Sequence, residues 1–389
     1  HTRYYSDWSS DVCSSDLGRS SRHRIAPGVV ARWRSNESRH REPMMRNAEP
    51  VAAINGYHTC GSNDTLASAH PSDSRKGHDM TTSSVSPVTT ELAGSETGIT
   101  LVIQAGAGSR GKHSTPERIA QVELDLQRAL DAGYQLLESG APAHEAVVAA
   151  IHVMEDAPEF NAGRGAALTS DGIAQMDACL MTGDGEVGAV TGVSTVKNPI
   201  DAARAVKEQT KHVLFADPTD AEIADWGVAT ESNEYFITEQ RRQSLAEAQS
   251  GGDEWEKHGT IGAVARDAEG NIAAGTSTGG ITNQMHGRVG DSPLPGCGTF
   301  ANQSTVAVSC TGIGEAFIKV VAAHQVSDRV RFSGENVEDA ATATLDEVAA
   351  HHGDGGMIVL PAVGRGVVAY NSEMMNFGYR SAQGGKVQG

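Results

Sequence analysis

The pattern with the clearest chemical potential in this sequence is a threonine that follows a glycine at the end of a polar stretch. In KHGTIGAVARD (257–267), Gly259 precedes Thr260, and an apolar strand pattern starts at the threonine. A loop that meets a strand would explain this simply. If the chain were cut before Thr260, however, its own α-amine, with a reference pKa of about 8, would supply the base that a threonine hydroxyl needs. Gly259 suits such a cut, because a residue without Cβ tolerates strained backbone.

Further threonines lie in the same half of the chain, at Thr276, Thr278, Thr299 and Thr311. Strand propensity alone explains any one of them. In GTSTGGITNQMHGRVGDSP (275–293), however, a glycine doublet marks a place where a ligand or another backbone comes close. Arg288 and Asp291 stand three residues apart in the same segment. Such a pair is usually a surface ion pair, but it also suits a zwitterion, since a guanidinium binds a carboxylate bidentately and a carboxylate accepts from an ammonium.

A glycine-rich segment offers a hypothesis of a different class. GAGSRG (106–111) matches a dinucleotide-binding pattern, and GAGSRGKH (106–113) nearly matches a phosphate-binding loop. However, His113 stands where a serine or threonine must hold magnesium. The expected helix cap also falls past the last glycine, so phosphate would not sit on the helix end. Nucleotide binding through residues 106–112 stays open beside the simpler interpretation as a tight turn.

Charge and composition exclude several classes of partner. Residues 1–79 carry 11 basic and 9 acidic side chains, which leaves 20 basic and 40 acidic side chains for the other 310 residues. A body this acidic is a poor binder of nucleic acid or of an anionic membrane. No apolar run approaches the roughly 20 residues of a membrane helix. Five widely spaced cysteines indicate neither a disulfide framework nor a zinc site, and no His, Asp and Glu cluster has metal-ligand spacing.

The first 79 residues differ from the rest of the chain. They are rich in Ser, Arg and His, and DWSSDVCSSDL (7–17) resembles the translation of a DNA-library adapter. We expect 1–79 to be a non-native or disordered leader that arose in sequencing or translation, with Met80 as the true start and a disordered segment over 80–97. An organelle transit peptide is the alternative, but nine acidic residues disfavour it.

Beyond Met80, strands and helices are predicted in adjacent pairs. This grouping favours an α+β fold over the alternation of a doubly wound parallel sheet. The helix over 114–140 is predicted with Ser114 or Thr115 as its cap. A mobile linker is expected over about 249–259. The predicted helices are 114–140, 142–156, 199–211, 219–227, 234–248, 313–325 and 336–351, and the predicted strands are 98–104, 173–181, 187–195, 260–266, 271–277, 304–310 and a hairpin over 356–371.

Several long segments resemble a known family. FNAGRGAALTSDGIAQMDACLM, HGTIGAVARD, NIAAGTSTGGITNQMHGRVGDSPLPGCGTFA and AVSCTGIGEAFIK resemble the plant-type asparaginase and isoaspartyl peptidase family of N-terminal-nucleophile hydrolases, over about residues 98–376. The resemblance implies a four-layer αββα sandwich and self-cleavage into an α part (98–259) and a β part (260–389). It also implies a cytoplasmic homodimer of cleaved αβ protomers. The implied reactions are hydrolysis of L-asparagine to aspartate and ammonia and removal of β-aspartyl residues from dipeptides, with no organic cofactor.

The resemblance assigns the chemistry to particular positions. Thr260 matches the nucleophile, and Thr278 matches the threonine that hydrogen-bonds it. Thr311 and Gly312 match an oxyanion hole. Asn161 matches an active-site asparagine near the amine of the nucleophile.

The resemblance also assigns substrate and ion binding. Arg288 matches the residue that holds the substrate α-carboxylate, and Asp291 matches the one that holds its α-amine, with Gly312 and Gly314 beside them. A structural sodium ion is implied, held by main-chain carbonyls. The implied carbonyls belong to Met154, Glu155, Ala157, Phe160, Ala162 and Arg164.

Two segments depart from the family pattern. The first loop of the family reads H-G-G-A-G, whereas Gln104 and Ala105 begin QAGAG here, and AYNSEMMNFGY (369–379) replaces a more glycine-rich pattern. Glycosylasparaginases are a related alternative, but they usually carry Asp before the nucleophile and STNG in place of STGG. Gly259 and Gly279 therefore favour the asparaginase branch.

Overall fold

The structure, a computed structural model, describes residues 86–94, 96–109, 115–251 and 259–389. The leader expected over 1–79 and most of the expected linker lie outside these residues. The first elements are β1 (Val88–Glu91), β2 (Thr100–Gly108), α1 (Pro116–Glu138), α2 (Ala143–Asp156), β3 (Met176–Thr182), β4 (Val187–Val193), α3 (Pro199–Gln209), β5 (Leu214–Ala216), α4 (Asp220–Asp225), α5 (Asn233–Phe236) and α6 (Glu239–Gln249). After the undescribed gap follow β6 (Ile261–Arg266), β7 (Ile272–Thr278), β8 (Thr299–Ala301), β9 (Val306–Gly312), α7 (Gly314–Val320), α8 (Ala322–Asp328), α9 (Val337–Ala350), β10 (Gly355–Pro361), β11 (Val367–Tyr370), β12 (Met374–Ser381) and β13 (Gly384–Gln388).

The described strands form two sheets. The five-stranded sheet has the order β1-β11-β10-β9-β8, and the eight-stranded sheet has the order β13-β12-β2-β6-β7-β3-β4-β5. Neighbouring strands are antiparallel except for the parallel pair β4 and β5. Helices α1 and α2 pack on the larger sheet, and α7 to α9 pack near β9, β10 and β11. The α+β class predicted from the sequence is therefore confirmed.

Strand β2 explains why the central strands are apolar along their whole length. Leu101 and Ile103 belong to an apolar cluster with α1 and α2, whereas Val102 between them belongs to a second cluster with β9 and β10. Successive strand residues point to opposite faces of a sheet. Because both faces of β2 are covered, every one of its residues is buried, and its sequence does not alternate between apolar and polar residues.

The first long helix forms as its sequence predicts. The Thr115 hydroxyl accepts a hydrogen bond from the Arg118 amide at 3.3 Å, and Pro116 occupies the first turn. The other proposed cap, Ser114, lies outside the described residues. Leu126, Leu130 and Leu137 are buried on the inner face of α1. Helix α2 packs against α1, β6 and β7, which brings its C-terminal end close to the strands that carry the threonines.

Some sequence expectations are wrong. The segment 80–97 was expected to be disordered, but within it β1 pairs with β11 and Leu92 is buried. The helix expected over 234–248 is two helices, because the Thr238 hydroxyl caps the second one. The helix expected over 313–325 is interrupted at Val321, whose φ of 52° lies in the left-handed region. The strands β12 and β13 were not predicted, because their glycines and polar residues interrupt the apolar pattern that is typical of a strand. Within the described residues, no helix combines the length and the apolar composition needed to cross a membrane.

Candidate active site

Thr260 stands directly before β6, and its side chain is buried. Its Oγ1 lies 2.9 Å from Oγ1 of Thr278, the last residue of β7. The two hydroxyls meet because β6 and β7 are antiparallel neighbours, with Ile261 opposite Ser277. The Gly280 amide donates to Oγ1 of Thr278 at 3.1 Å. Thr278 thus has a proton free to donate to Thr260, which is the arrangement that stabilises a nucleophilic oxygen as it loses its proton.

Asn161 binds the peptide group that precedes Thr260. Its amide donates to the Gly259 carbonyl at 3.2 Å, and its own carbonyl accepts from the Gly279 amide at 2.9 Å. Its side chain donates to the Gly280 carbonyl at 2.7 Å and accepts from the Ala167 amide at 2.7 Å. Both polar atoms of the Asn161 side chain therefore bond to backbone groups, and its main-chain amide lies where an oxyanion at Gly259 would be stabilised.

The space around Gly259 could hold a side chain. A Cβ on it would lie 3.5 Å from the Ala105 carbonyl and 3.6 Å from the Asn161 amide, which are ordinary contacts. The packing around Gly259 therefore does not by itself require a glycine, and the main-chain contact at this position is the one between its carbonyl and the Asn161 amide.

Thr311 and Gly312 end β9 in the other sheet. The Thr311 side chain is fully buried, and its Oγ1 has no hydrogen-bond partner among the described residues. Gly312 has a φ of 141°, and a Cβ on it would collide with the Asp354 carbonyl. A buried hydroxyl without a partner costs free energy, so native proteins rarely keep one without a use. Thr311 is therefore available as a donor to a bound group.

A chain of buried hydroxyls connects the two sheets. Thr276 and Ser309 are 2.7 Å apart, and Thr299 donates to Thr276 at 2.7 Å and contacts the Ser292 carbonyl at 3.0 Å. A Cβ on Gly262 would collide with the Ser309 hydroxyl. Two threonines of the sequence cluster, Thr276 and Thr299, therefore join the sheets, while Thr260, Thr278 and Thr311 stand at strand ends.

Arg288 and Asp291 lie in the long loop between β7 and β8. Arg288 donates from Nε and Nη2 to the two carboxylate oxygens of Glu315, each at 2.9 Å. Asp291 is buried, and its Oδ2 has no partner among the described residues. A Cβ on Gly314 would lie 2.9 Å from Asp291 Oδ1 and 3.1 Å from Arg288 Nη2. The guanidinium, the carboxylate and the glycine therefore lie close together. The sequence analysis did not single out Glu315, which contacts the same guanidinium.

Burial controls the ionisation of Asp291. Desolvation raises the pKa of its carboxyl to about 6, although its own amide and Arg288 favour the charged form. The neighbouring carboxylates of Glu315 and Asp177 contribute smaller parts of this rise in the pKa. An acid with this pKa is mostly ionised at neutral pH and becomes neutral in mildly acidic solution.

Comparison with known proteins shows the family to which this chain belongs. The asparaginase family model matches residues 97–388. An isoaspartyl peptidase of Salmonella typhimurium is 40% identical over 285 residues, which cover 70% of this chain and 91% of the relative. The isoaspartyl peptidase/L-asparaginase of Homo sapiens is 39% identical over 305 residues, with coverage of 74% and 94%. A plant-type L-asparaginase of Pyrococcus abyssi is 38% identical over 301 residues, with coverage of 72% and 96%.

The chain belongs to the asparaginase family. The packing at Gly279 agrees with the branch that the sequence favoured. A Cβ on Gly279 would lie 2.6 Å from the Ala166 Cβ and 2.7 Å from the Ala167 amide. The asparagine that glycosylasparaginases carry at this position would therefore require the backbone at 166–167 to move.

The glycine-rich segment does not form a phosphate-binding loop within the described residues. Gly106 to Gly108 belong to β2, where Ala107 pairs with Met375 and Gly108 with Met374 of β12. Gln104, which departs from the family, is buried, and its side chain accepts from the Gly106 amide at 2.9 Å. Paired strand backbone cannot also wrap a phosphate, so this geometry disfavours the nucleotide-binding alternative. Lys112 and His113 lie outside the described residues.

The segment over 154–164 folds back on itself through its main-chain carbonyls. The Glu155 carbonyl accepts from the Arg164 amide at 2.7 Å. A Cβ on Gly165 would lie 2.5 Å from the Pro158 carbonyl oxygen and 2.7 Å from that of Phe160. Two carbonyl oxygens therefore converge above Gly165, which has a φ of 107°, and oxygen ligands of this kind suit a hard cation.

One group of side chains in the described ranges has the spacing of metal ligands, which the sequence did not indicate. The ligand atoms of His144, Glu145 and Glu208 lie within 4.8 Å of one another. They come from two helices, α2 and α3, so no sequence spacing could predict them. Arg204 lies 3.4 Å from Glu145, and the group is explained as a partly exposed ion-pair cluster.

Proposed function

We propose that this chain is a self-cleaving threonine amidohydrolase that hydrolyses L-asparagine to aspartate and ammonia and removes β-aspartyl residues from dipeptides. The observation that carries the proposal is the 2.9 Å contact between the hydroxyls of Thr260 and Thr278, directly beside the Gly259 carbonyl. The names of the relatives, isoaspartyl peptidase and L-asparaginase, support this substrate class. The convergence of Arg288, Asp291 and Gly314 supports it independently.

Self-cleavage comes first in the proposed sequence. Thr260 Oγ1 adds to the Gly259 carbonyl carbon, and the Asn161 amide donates to the developing oxyanion. The peptide C–N bond then breaks, the hydroxyl proton passes to the leaving nitrogen, and an ester joins Gly259 to the Thr260 oxygen. Water hydrolyses this ester, which leaves a carboxylate on Gly259 and restores the hydroxyl. The product carries a free α-amine on Thr260, the activated form of a threonine nucleophile.

Amide hydrolysis uses the same oxygen. Thr260 Oγ1 attacks the side-chain amide carbon of the substrate while the new α-amine accepts the hydroxyl proton. Thr278 donates to the nucleophilic oxygen, and the Thr311 hydroxyl and Gly312 amide donate to the oxyanion, each donor contributing on the order of 3 kcal/mol. The amine returns its proton as ammonia or a peptide amine leaves. Water then releases aspartate from the acyl-enzyme.

Arg288 and Asp291 select the substrate. The carboxylate of Glu315 occupies the Nε and Nη2 edge of Arg288. Nη1 also donates to the Gln284 side chain at 3.4 Å. Because a guanidinium offers five donors, one proton on Nη1 and one on Nη2 remain for the α-carboxylate of the substrate. Asp291 accepts from the α-ammonium with its unpartnered Oδ2. Gly314 leaves room for the carbon that carries both groups.

We further propose the architecture and assembly that the family implies. Helices α1 and α2 on one sheet and α7 to α9 on the other support a four-layer αββα sandwich, since β9 also contacts β6 and β7. The functional unit would be a cytoplasmic homodimer of cleaved protomers. A structural sodium ion would stabilise the backbone loop, and no organic cofactor is required. The carbonyls proposed to hold sodium are those of Met154, Glu155, Ala157, Phe160, Ala162 and Arg164.

Intact mass spectrometry of the purified protein tests self-cleavage. We expect a fragment that spans Thr260–Gly389, with a mass of about 14 kDa if mass is shared evenly along the 40.7 kDa chain, and with Thr-Ile-Gly as its amino-terminal sequence. Ammonia release from asparagine should rise in step with this fragment. A chain that stays whole after prolonged incubation, yet hydrolyses asparagine, would rule out the proposed activation.

The ionisation of Asp291 predicts an acid limb in the activity profile. The pKa of its carboxyl is raised to about 6, so protonation below that pH removes the charge that holds the substrate ammonium. We expect kcat/KM for asparagine to fall by up to about tenfold per pH unit below the limb. Succinamate, which lacks the ammonium, should show a weaker limb under the same conditions. A kcat/KM for asparagine that stays level from pH 7 to pH 5 would contradict the assignment of Asp291.

A further inference from the structure

The hydroxyls of Thr276 and Ser309 form a hydrogen bond between the two sheets that has no part in the proposed reaction. Thr276 lies on β7 of the larger sheet, and Ser309 lies on β9 of the smaller one. The two oxygens are 2.7 Å apart, and both side chains are completely buried. Thr299 of β8 donates to the same Thr276 oxygen at 2.7 Å. Thr276 therefore binds two neighbouring strands of the opposite sheet.

The Thr276–Ser309 bond lies two residues along each strand from a group of the proposed reaction. Residues two apart in a strand point to the same face of its sheet. On β7, Thr276 therefore faces the same way as Thr278, which contacts the proposed nucleophile. On β9, Ser309 faces the same way as Thr311, the proposed oxyanion donor. The bond thus joins the strand that orients the nucleophile to the strand that carries the donor.

The strand that follows the nucleophile leaves room for this bond. Gly262 stands opposite Thr276 in the pairing of β6 with β7, and it follows Thr260 by two residues. A Cβ on Gly262 would lie 1.9 Å from the Ser309 hydroxyl oxygen. A larger residue at this position would therefore require the Ser309 hydroxyl to move. The glycine allows Ser309 to approach β6 and β7 together.

The position of one sheet relative to the other matters because the proposed nucleophile and oxyanion donor come from different sheets. An oxyanion donor acts when it lies about 2.7–3.1 Å from the position that the oxyanion will occupy. Val264, Ala274 and Val308, on β6, β7 and β9, belong to one apolar cluster. Apolar burial is non-directional, whereas a hydrogen bond weakens steeply when its geometry changes. The buried hydroxyl bond therefore adds the directional contact that apolar packing lacks.

Gln104 makes another polar contact between the sheets. Its Nε2 donates to the Cys310 carbonyl at 3.4 Å, and a Cβ on Gly262 would lie 3.0 Å from this nitrogen. Cys310 lies between Ser309 and Thr311 in the chain. The polar contacts of Ser309 and Cys310 therefore both hold β9 directly before the proposed oxyanion donor.

We propose that Ser309 and Thr276 are positioning residues for turnover, which set the distance between the Thr260 hydroxyl on one sheet and the Thr311 hydroxyl on the other. The inference rests on the proposed roles of Thr260 and Thr311. It implies that the bond serves amide hydrolysis and not self-cleavage. The Asn161 amide, which donates to the scissile carbonyl, lies on the segment after α2 and not on β9.

Ser309→Ala in the full chain tests the inference. Alanine removes the hydroxyl and keeps a small side chain on the strand. We expect self-cleavage at the parental rate, a kcat for asparagine lowered by about tenfold, and a KM within about twofold of the parent. A misplaced oxyanion donor slows the chemical step, whereas the groups that bind the substrate stay in place. Intact mass spectrometry follows cleavage, and ammonia release measures turnover.

Ser327→Ala is the matched control. The Ser327 hydroxyl of α8 lies 2.7 Å from Oγ1 of Thr305, and both side chains are buried. Thr305 directly precedes β9, whereas Thr311 lies near the other end of that strand. Ser327→Ala should lower the melting temperature as much as Ser309→Ala does, with a kcat within about twofold of the parent. An equal loss of kcat in both variants would mean a general loss of stability and would overturn the inference.

Substitutions of Thr276 test the other end of the bond and carry the test if Ser309→Ala does not fold. Thr276→Ser keeps the hydroxyl, so its kcat should stay within about threefold of the parent. Thr276→Val keeps the shape and loses the hydroxyl, so its kcat should fall by about tenfold. If both variants turn over asparagine equally fast, the hydroxyl has no positioning role and the inference is wrong.

A double-mutant cycle separates the inference from the proposed reaction. In a Thr311→Val background the donor that Ser309 positions is absent, so Ser309→Ala should lower kcat further by at most about twofold. If Thr311→Val keeps the parental kcat, the proposed oxyanion donor itself fails. If Thr311→Val is impaired but Ser309→Ala behaves as Ser327→Ala does, only the inference fails. An uncut Ser309→Ala chain would show that the bond is not specific to turnover and would also overturn the inference.

Discussion

Replacing Thr260 with alanine is expected to leave the chain uncut and without measurable hydrolysis of asparagine. Both steps use the same oxygen, and in the structure that oxygen is in contact with Thr278 at 2.9 Å. Alanine removes the nucleophile while Asn161 still holds the Gly259 carbonyl. Intact mass spectrometry should therefore give one full-length species, whereas the parent gives a fragment that begins with Thr260.

Thr260→Ser is the control for this prediction. Serine keeps the hydroxyl and loses only the methyl group, so cleavage and turnover should both persist at reduced rates. An uncut Thr260→Ser chain would point to a folding defect and not to lost chemistry. If Thr260→Ala is cut between Gly259 and Thr260, the hydroxyl is not the nucleophile of self-cleavage, and the proposed mechanism is wrong.

Much of the candidate site could be predicted from the sequence because its residues lie in short, chemically distinctive segments. Thr260 follows a glycine at a strand start, and Arg288 and Asp291 share one glycine-rich loop. The helix boundaries of α1 could be predicted for the same reason, since Thr115 and Pro116 form a local cap. Each of these features depends on neighbours in the chain, which a sequence displays directly.

Other parts could not be predicted because they depend on contacts between distant segments. Glu315 reaches Arg288 only because α7 begins beside the loop. Val321 takes a left-handed conformation that β-branched residues rarely adopt, and its own sequence gives no sign of it. The amides of Ala323 and His324, just after the break, donate to the carbonyls of Cys297 and Gly296, so contacts with a distant loop accompany the interruption of the helix expected over 313–325.

Removing the Thr311 hydroxyl is expected to affect turnover strongly and self-cleavage little. Its hydroxyl is buried and has no partner among the described residues, and such a group costs about 1–3 kcal/mol of stability. Thr311→Val keeps the shape and removes the hydroxyl, so we expect a melting temperature equal to or above that of the parent. The kcat for asparagine should fall by about 10²- to 10³-fold, the effect of losing one oxyanion donor.

Self-cleavage should nevertheless proceed in Thr311→Val, because the donor to the Gly259 carbonyl is the main-chain amide of Asn161, at 3.2 Å. Mass spectrometry of this variant should therefore show the same fragment as the parent, beside a large loss of turnover. Thr344→Val is the matched control, since the Thr344 hydroxyl is equally buried but already donates to the Ala340 carbonyl within α9. It should lose about 1 kcal/mol of stability and no activity. If the kcat of Thr311→Val stays within about threefold of the parent, Thr311 is not the donor to the oxyanion in turnover. If the Thr311→Val chain stays uncut, self-cleavage and turnover use the same donor.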